Sequence, residues 1–358
     1  MEQNVEQKTS HKTQKSAKPN NHQNEQKASV DEAQLIANLH KGYVELKHQI
    51  HKVIIGQEEV IDAMICCMLA GGHCIVQGVP GLAKTLMVHS VADAMSLKFN
   101  RIQFTPDLMP SDITGADIIQ RDAQSHKRKF EFVKGPIFSN VVLADEINRT
   151  PPKTQAALLQ AMQEREVTVS GQTHKLEEPF FVLATQNPIE QEGTYPLPEA
   201  ALDRFMFMIY IDYPSAKEEH LIVKQTTTGK KQSTRMVLDK NHMLLFQEIV
   251  RMAPVSDTII AYCISLARAT RPTSKNATWM VKKYLKWGAG PRAGQYMTLG
   301  AKALALIKGR ITPSFEDVKD VAKLVLRHRV ITNFDAEADA VSVEAILDDL
   351  VENVPLPK

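Results

Sequence analysis

Cysteine is scarce: Cys66, Cys67, Cys74 and Cys263 are the whole complement, and none stands in a C-x-x-C or Cys/His ligand spacing. That argues against a disulfide framework or a structural zinc site, and it suits a reducing compartment in which the thiols act as small buried hydrophobes. Charge of one sign is missing too. With 43 basic against 41 acidic side chains the net charge is +2, so no global field draws the protein to nucleic acid or to an anionic membrane. No apolar run is long enough to span a bilayer: the richest, 60–78, is broken by Asp62, Gly71, Gly72 and His73 and predicts a helix followed by a strand. The first 29 residues hold almost nothing apolar, which predicts a disordered tail, and they lack the apolar stretch of a secretion signal. A cytoplasmic location without membrane insertion is expected.

What is present suits a soluble globular chain of 358 residues, 43% hydrophobic and 23% charged, long enough for one large and one small domain. Leu35, Ala37, Leu39, Tyr43, Leu46 and Ile50 recur at helical spacing, and a second helix is predicted over 58–70. Short apolar runs at 73–77, 101–104, 141–144, 180–185 and 207–211 then alternate with helices. Such alternation predicts an α/β fold, with a mostly parallel sheet covered on both faces, over 30–213. An insert at 105–139 reads as a hairpin, Ile118–Gln120 against Lys129–Phe132. A second hairpin is predicted at 166–176 around Ser170-Gly171-Gln172-Thr173. From 214 to 358 the pattern is helical, over 215–226, 239–252, 257–270, 291–308, 314–328 and 342–352, with Ser215 and Ser314 as N-caps.

The chemistry concentrates at GVPGLAKT, 78–85, which follows a predicted strand and opens a predicted helix. Glycines at 78 and 81 allow successive N–H groups to turn inward around phosphate oxygens, and the helix N-terminus adds partial positive charge. Lys84 supplies a full charge for the β- and γ-phosphates, and the Thr85 hydroxyl can ligate Mg²⁺. Gly78, Val79, Pro80, Gly81, Leu82, Ala83, Lys84, Thr85 and the following Leu86 are therefore the candidate ATP-binding set. The strict pattern G-x-x-x-x-G-K-[ST] wants glycine where Ala83 stands; right-handed backbone angles, comfortable for alanine, are expected there. VVLADEIN, 141–148, buries as a strand and delivers Asp145 and Glu146 to its C-terminal end, where a doubly wound sheet binds ligands. Asp145 would complete the Mg²⁺ shell with Thr85, and Glu146 would polarise the attacking water as general base. Asn187, in VLATQNP, ends another buried strand and could orient that water or touch the γ-phosphate. Two arginines are weaker signals taken singly: Arg204 in LPEAALDRF, which alone reads as a surface ion-pair partner, and Arg292 in GAGPRAG, in the first turn of a helix and facing the wrong end of its dipole.

GVPGLAKT, LADEINR, ATQNP, LPEAALDRF and GPRAG, in that order, resemble the motifs of the AAA+ superfamily and within it of the MoxR family, whose members carry alanine before the motif lysine. The similarity runs from about Ile54 to the C-terminus. It implies Walker A at Gly78, Gly81, Lys84 and Thr85, Walker B at Asp145 and Glu146, and sensor 1 at Asn187. Arg204 matches the arginine finger that reaches a neighbouring subunit's site, and Arg292 matches sensor 2. Gly56 and Gln57, in Ile55-Gly56-Gln57, resemble the segment near adenine, while the two hairpins resemble the helix-2 insert and pre-sensor-1 hairpin. Arg149 is a further candidate for contact across an interface, with a plain ion pair as its other reading. The resemblance implies an ATPase acting as a homo-oligomeric ring, six copies being the expected number. It also implies remodelling or activation of a client protein, with a partner bearing a von Willebrand factor A domain. A metal-chelatase motor subunit, a nucleic-acid translocase (not expected, given the near-neutral charge) and a non-catalytic nucleotide-dependent scaffold are the competing readings.

Overall fold

The computed structural model describes residues 21–121, 128–188, 193–229 and 232–357. The chain divides into a short N-terminal unit that ends at Leu35 and a main unit from Ile36 onward. Helix α1 (Asn21–His51) begins inside the segment expected to be a tail; residues 1–20 of that segment lie outside the described residues.

The main unit continues with α2 (Glu58–Leu69), β1 (Cys74–Gln77), α3 (Lys84–Ala94), β2 (Phe99–Gln103) and the short α4 (Pro110–Thr114). An antiparallel pair, β3 (Gly115–Arg121) and β4 (Arg128–Lys134), precedes β5 (Val141–Asp145), α5 (Pro152–Glu164) and a second pair, β6 (Glu166–Val169) and β7 (Gln172–Lys175). Then come β8 (Phe181–Gln186), α6 (Glu199–Leu202) and β9 (Phe207–Tyr210).

Five strands form one parallel sheet in the order β2-β5-β8-β1-β9, built from the five apolar runs. Period-two alternation sorts their side chains onto two covered faces. Val76, Leu143, Leu183 and Phe207 pack in one core with α2, α3 and α11 (Pro291–Ile307), whereas Ile75, Val142, Val182 and Met208 pack in a second core with α5. Because β1 leads through α3 to the far edge strand while β9 lies on its other side, the chain reverses direction at β1. The C-terminal ends of β1, β5 and β8 open there into a crevice.

Both predicted hairpins form. The turn of the first, 122–127, lies outside the described residues. The second turns more tightly than expected: Ser170 (φ 50°) and Gly171 (φ 79°) make the whole connection, and Gln172 and Thr173 join the strand opposite Val169 and Thr168. Two left-handed residues in succession match the right-handed twist of the flanking strands. The hairpins meet at one aromatic contact, Phe132 of β4 stacked on His174 of β7 with ring centroids 4.0 Å apart and Phe138 edge-on to Phe132 at 5.7 Å.

The C-terminal region is helical, with α7 (Ala216–Thr226), α8 (Lys240–Met252), α9 (Asp257–Ala269), α10 (Trp279–Tyr284), α11, α12 (Phe315–Leu326), α13 (Phe334–Ala338) and α14 (Val343–Asn353). Ser215 and Ser314 are N-caps, each in a reciprocal capping box, with Glu218 and Asp317 respectively. To the expected helices the structure adds α10, α13 and a small antiparallel ribbon, β10 (Leu285–Trp287) against β11 (Ile331–Thr332). The four cysteines are free and buried, and burial pushes the Cys66 thiol up to about 12. Among the described residues no single helix is long and apolar enough to cross a membrane.

Candidate active site

The phosphate loop begins where β1 ends. A Cβ at Gly78 would lie 2.7 Å from the Ile211 carbonyl oxygen, and Gly81 has φ +87°, so neither position admits a larger residue without distortion. Ala83 corrects the expectation of right-handed angles. It is left-handed, at φ 55° and ψ 26°, and α3 starts only at Lys84. A left-handed alanine costs roughly 1–2 kcal/mol, so the loop holds strain where the strict motif has glycine. Lys84 donates from Nζ across the loop to the Gly78 carbonyl. Partial burial lowers its pKa from the ordinary lysine value, against the pull of the Asp145 and Glu146 charges.

Across the crevice, β5 carries Asp145 at its end and Glu146 beyond it in a left-handed turn, φ 57°. Each carboxylate is oriented by neighbours to which the motifs assign no role. Asp145 Oδ1 accepts from the Thr185 hydroxyl at 2.6 Å, and Oδ2 accepts from Arg101 Nε at 3.0 Å and from its terminal nitrogen. Thr185 in turn accepts from the Glu146 backbone N–H at 2.8 Å. Glu146 Oε2 accepts from Gln103 Nε2 at 2.8 Å and from Arg149 at 3.1 Å, so the ion-pair reading of Arg149 describes this structure. Arg101 and Gln103, which stand in no motif, and Thr185, which lies within ATQNP without a role assigned to it, thus join the candidate site. The β2–β5 register brings the first two in, pairing Gln103 with Asp145.

An open cavity of about 420 Å³ is lined by residues 80–86, Arg101, Asp145, Glu146, Thr185 and Asn187, which brings Lys84, Thr85, Asp145, Glu146 and Asn187 together. An adjoining pocket of about 170 Å³ shares Gly81, Leu82, Ala83 and Leu86 with it. This second pocket is mostly apolar. Ile55, Gln57 and Leu82 line it together with Pro214, Ile222, Gln225 and Thr226, the last three from α7, so it matches a flat heterocycle joined to a polyphosphate. Among the described residues, neither lining includes Gly56, Gly78, Val79, Arg204 or Arg292.

The two arginines sit together elsewhere. Arg292, at the start of α11, donates to Asp203 Oδ2 at 2.7 Å, and Arg204 follows Asp203 directly, with its side chain reaching Gln163 Oε1 at 2.9 Å and the Ala200 carbonyl at 3.2 Å. The donor set in the cleft suits Mg²⁺. Thr85 and Asp145 offer hard oxygens, Asp145 already holds a cation in Arg101, and no group of three or more His, Cys, Asp or Glu among the described residues forms an all-protein cage. That is the usual arrangement for a metal that takes its remaining ligands from water and nucleotide phosphate.

A parallel sheet with a phosphate loop after β1, a carboxylate pair on an inner strand and a helical C-terminal region defines the class, a P-loop ATPase core of the AAA type with its lid. A family profile described as "ATPase family associated with various cellular activities (AAA)" matches residues 73–207, and one described as "AAA lid domain" matches 279–350. The chain is 40% identical over 310 residues to "Chaperone MoxR1" of Mycobacterium tuberculosis, covering 87% of this chain and 81% of that protein. It is 25% identical to "Protein MoxR" of Paracoccus denitrificans, covering 90% and 98%. The crystal structure of a Cytophaga hutchinsonii protein, classed provisionally as an ATPase, superposes with a TM-score of 0.85 at 39% identity, over 93% of this chain and 99% of that one. The chain belongs to the MoxR family of AAA+ ATPases.

Proposed function

We propose that this chain binds ATP with Mg²⁺ and hydrolyses it inside a homo-oligomeric ring of six. The cycle would remodel, assemble or activate a client protein together with a partner bearing a von Willebrand factor A domain. The observation that carries the reading is the convergence of Lys84, Thr85, Asp145, Glu146 and Asn187 in one cleft, beside an apolar pocket sized for a base. Lys84 and the loop N–H groups hold the phosphates, and Ile55, Gln57, Ile222 and Leu82 enclose the base. Thr85 and Asp145 would hold Mg²⁺, which would supply neutralisation of the phosphate charge. Glu146 accepts the proton of the attacking water and Asn187 orients it. Gln103 and Arg149 both hold Glu146 Oε2, so one of them gives way when the carboxylate turns to water.

The ring reading is supported by where Arg204 lies. It stands outside its own subunit's cleft, as a residue that serves a neighbour's site would. The client is supported by the chaperone name of the mycobacterial relative, and the von Willebrand factor A partner by family resemblance. In the assembled protein, Lys84→Ala should abolish nucleotide binding and Glu146→Gln should keep binding while turnover falls on the order of 10²–10⁴-fold. Arg204→Ala should slow turnover by about 10³-fold. Steady-state ATPase and fluorescent-nucleotide titration check all three, and unchanged hydrolysis throughout would sink the proposal.

A further inference from the structure

The segment that carries Arg204 has an unusual division of hydrogen bonds. Its backbone donors turn to the core: Arg204 N–H to Ala201, Phe205 N–H to Leu202, and Met206 N–H to His73 at 2.7 Å. Its acceptors turn to the lid. Arg329, whose side chain is 2% exposed, donates through one terminal nitrogen to the carbonyls of Asp203 (2.7 Å) and Phe205 (2.6 Å), and through the other to that of Met206 (3.3 Å). The carbonyl of Arg204 itself accepts from the Tyr296 hydroxyl at 3.2 Å. Asp203 is gripped a second time through its carboxylate, by Arg329 Nε at 2.8 Å and by Arg292 at 2.7 Å. The Arg329 guanidinium also lies over the Tyr296 ring, 5.1 Å from its centroid.

Every carbonyl from 203 to 206 is therefore held by a lid side chain, and the main holder is a buried cation. The same terminal nitrogen that reaches Met206 also donates to the Val325 carbonyl within the lid, so the guanidinium is fixed to the lid at one end, and pulling the lid away would break its bonds to the strip together, which costs more than moving the strip along with it. The Arg204 side chain lies outside this grip. Its contacts, to Gln163 and to the Ala200 carbonyl, are solvent-exposed and easily exchanged.

We propose that Arg329, seconded by Tyr296, is a positioning residue for Arg204. It locks the finger segment to the lid of its own subunit, so the lid's position there sets the finger that the neighbouring site receives. This rests on the reading of Arg204 as a finger acting between subunits, and the experiment separates the two. Lys84→Ala subunits, which keep a finger but cannot turn over, are mixed with Arg204→Ala subunits, which keep a site but lack a finger; mixing should restore hydrolysis that neither shows alone. Adding Arg329→Gln to the Lys84→Ala donor should then cut the restored rate at least tenfold, whereas the same change in the Arg204→Ala acceptor should leave it within about twofold. Tyr296→Phe in the donor removes a single hydroxyl and should cost about fivefold, the worth of one neutral hydrogen bond. It decides the matter if Arg329→Gln fails to assemble by sedimentation. No restoration by the parent pair overturns the finger reading and this inference with it. Restoration that survives both donor changes, or that falls equally from either side, overturns this inference alone.

Discussion

Ala83 sits at φ 55° in a loop whose neighbours were chosen for conformational freedom, and its strain is local to one residue. Ala83→Gly should relieve it, raising stability by about 1 kcal/mol, measured as a shift in the urea midpoint with unchanged slope. A fall in stability would mean that the entropy of an added glycine outweighs the strain. The site residues differ in how far they can be read from local sequence. Lys84, Thr85, Asp145, Glu146 and Asn187 stand in short motifs at strand ends, and the cleft gathers all five. Arg101 and Gln103 stand in no motif; they reach the carboxylates only because β2 pairs with β5 in one register, a long-range fact that no window of sequence contains. The left-handed backbone at Ala83 was hidden for a related reason: it comes from the path between β1 and α3, not from the preference of alanine.

Helices long enough to repeat an apolar face were legible with or without a polar cap, and the short ones were not. Ser314 opens α12 by accepting from the Asp317 N–H while Asp317 reaches back to the Ser314 N–H at 2.8 Å. Ser314→Ala should therefore destabilise the protein by about 1 kcal/mol, readable as a lowered melting temperature, while Asp317 keeps its partners Lys308 and Arg310. By contrast α10, α13 and the β10–β11 ribbon are too short to show a period, and they form because the long helices around them leave backbone to be paired. The five sheet strands were readable as apolar runs because both their faces are buried, whereas their order was not. The turn at Ser170–Gly171 was misplaced by its polar flanks. Gln172 and Thr173 look like loop residues, yet they occupy an exposed strand.

Across the whole molecule, two buried histidines should govern acid stability. His73, held between the Val182 N–H and the Met162 carbonyl, has its pKa pushed from 6.5 down to about 3 by burial and by Arg165. Burial, reinforced by Arg329, likewise drives His328 well below its ordinary value. Both are neutral when folded and take up protons when unfolded, so their contribution is complete above about pH 6.5. It declines as pH falls below that, for His73 down to about pH 3, by up to about 1.4 kcal/mol per pH unit. Urea midpoints measured between pH 7 and pH 4 should fall steadily, and less steeply in His73→Gln; a flat profile would contradict the assignment. The stacked rings of Phe132 and His174 matter at the same scale. Two ribbons that leave the sheet at separate points are tied by this ring contact, so a displacement of one tip is resisted by the other, by no more than about 1 kcal/mol.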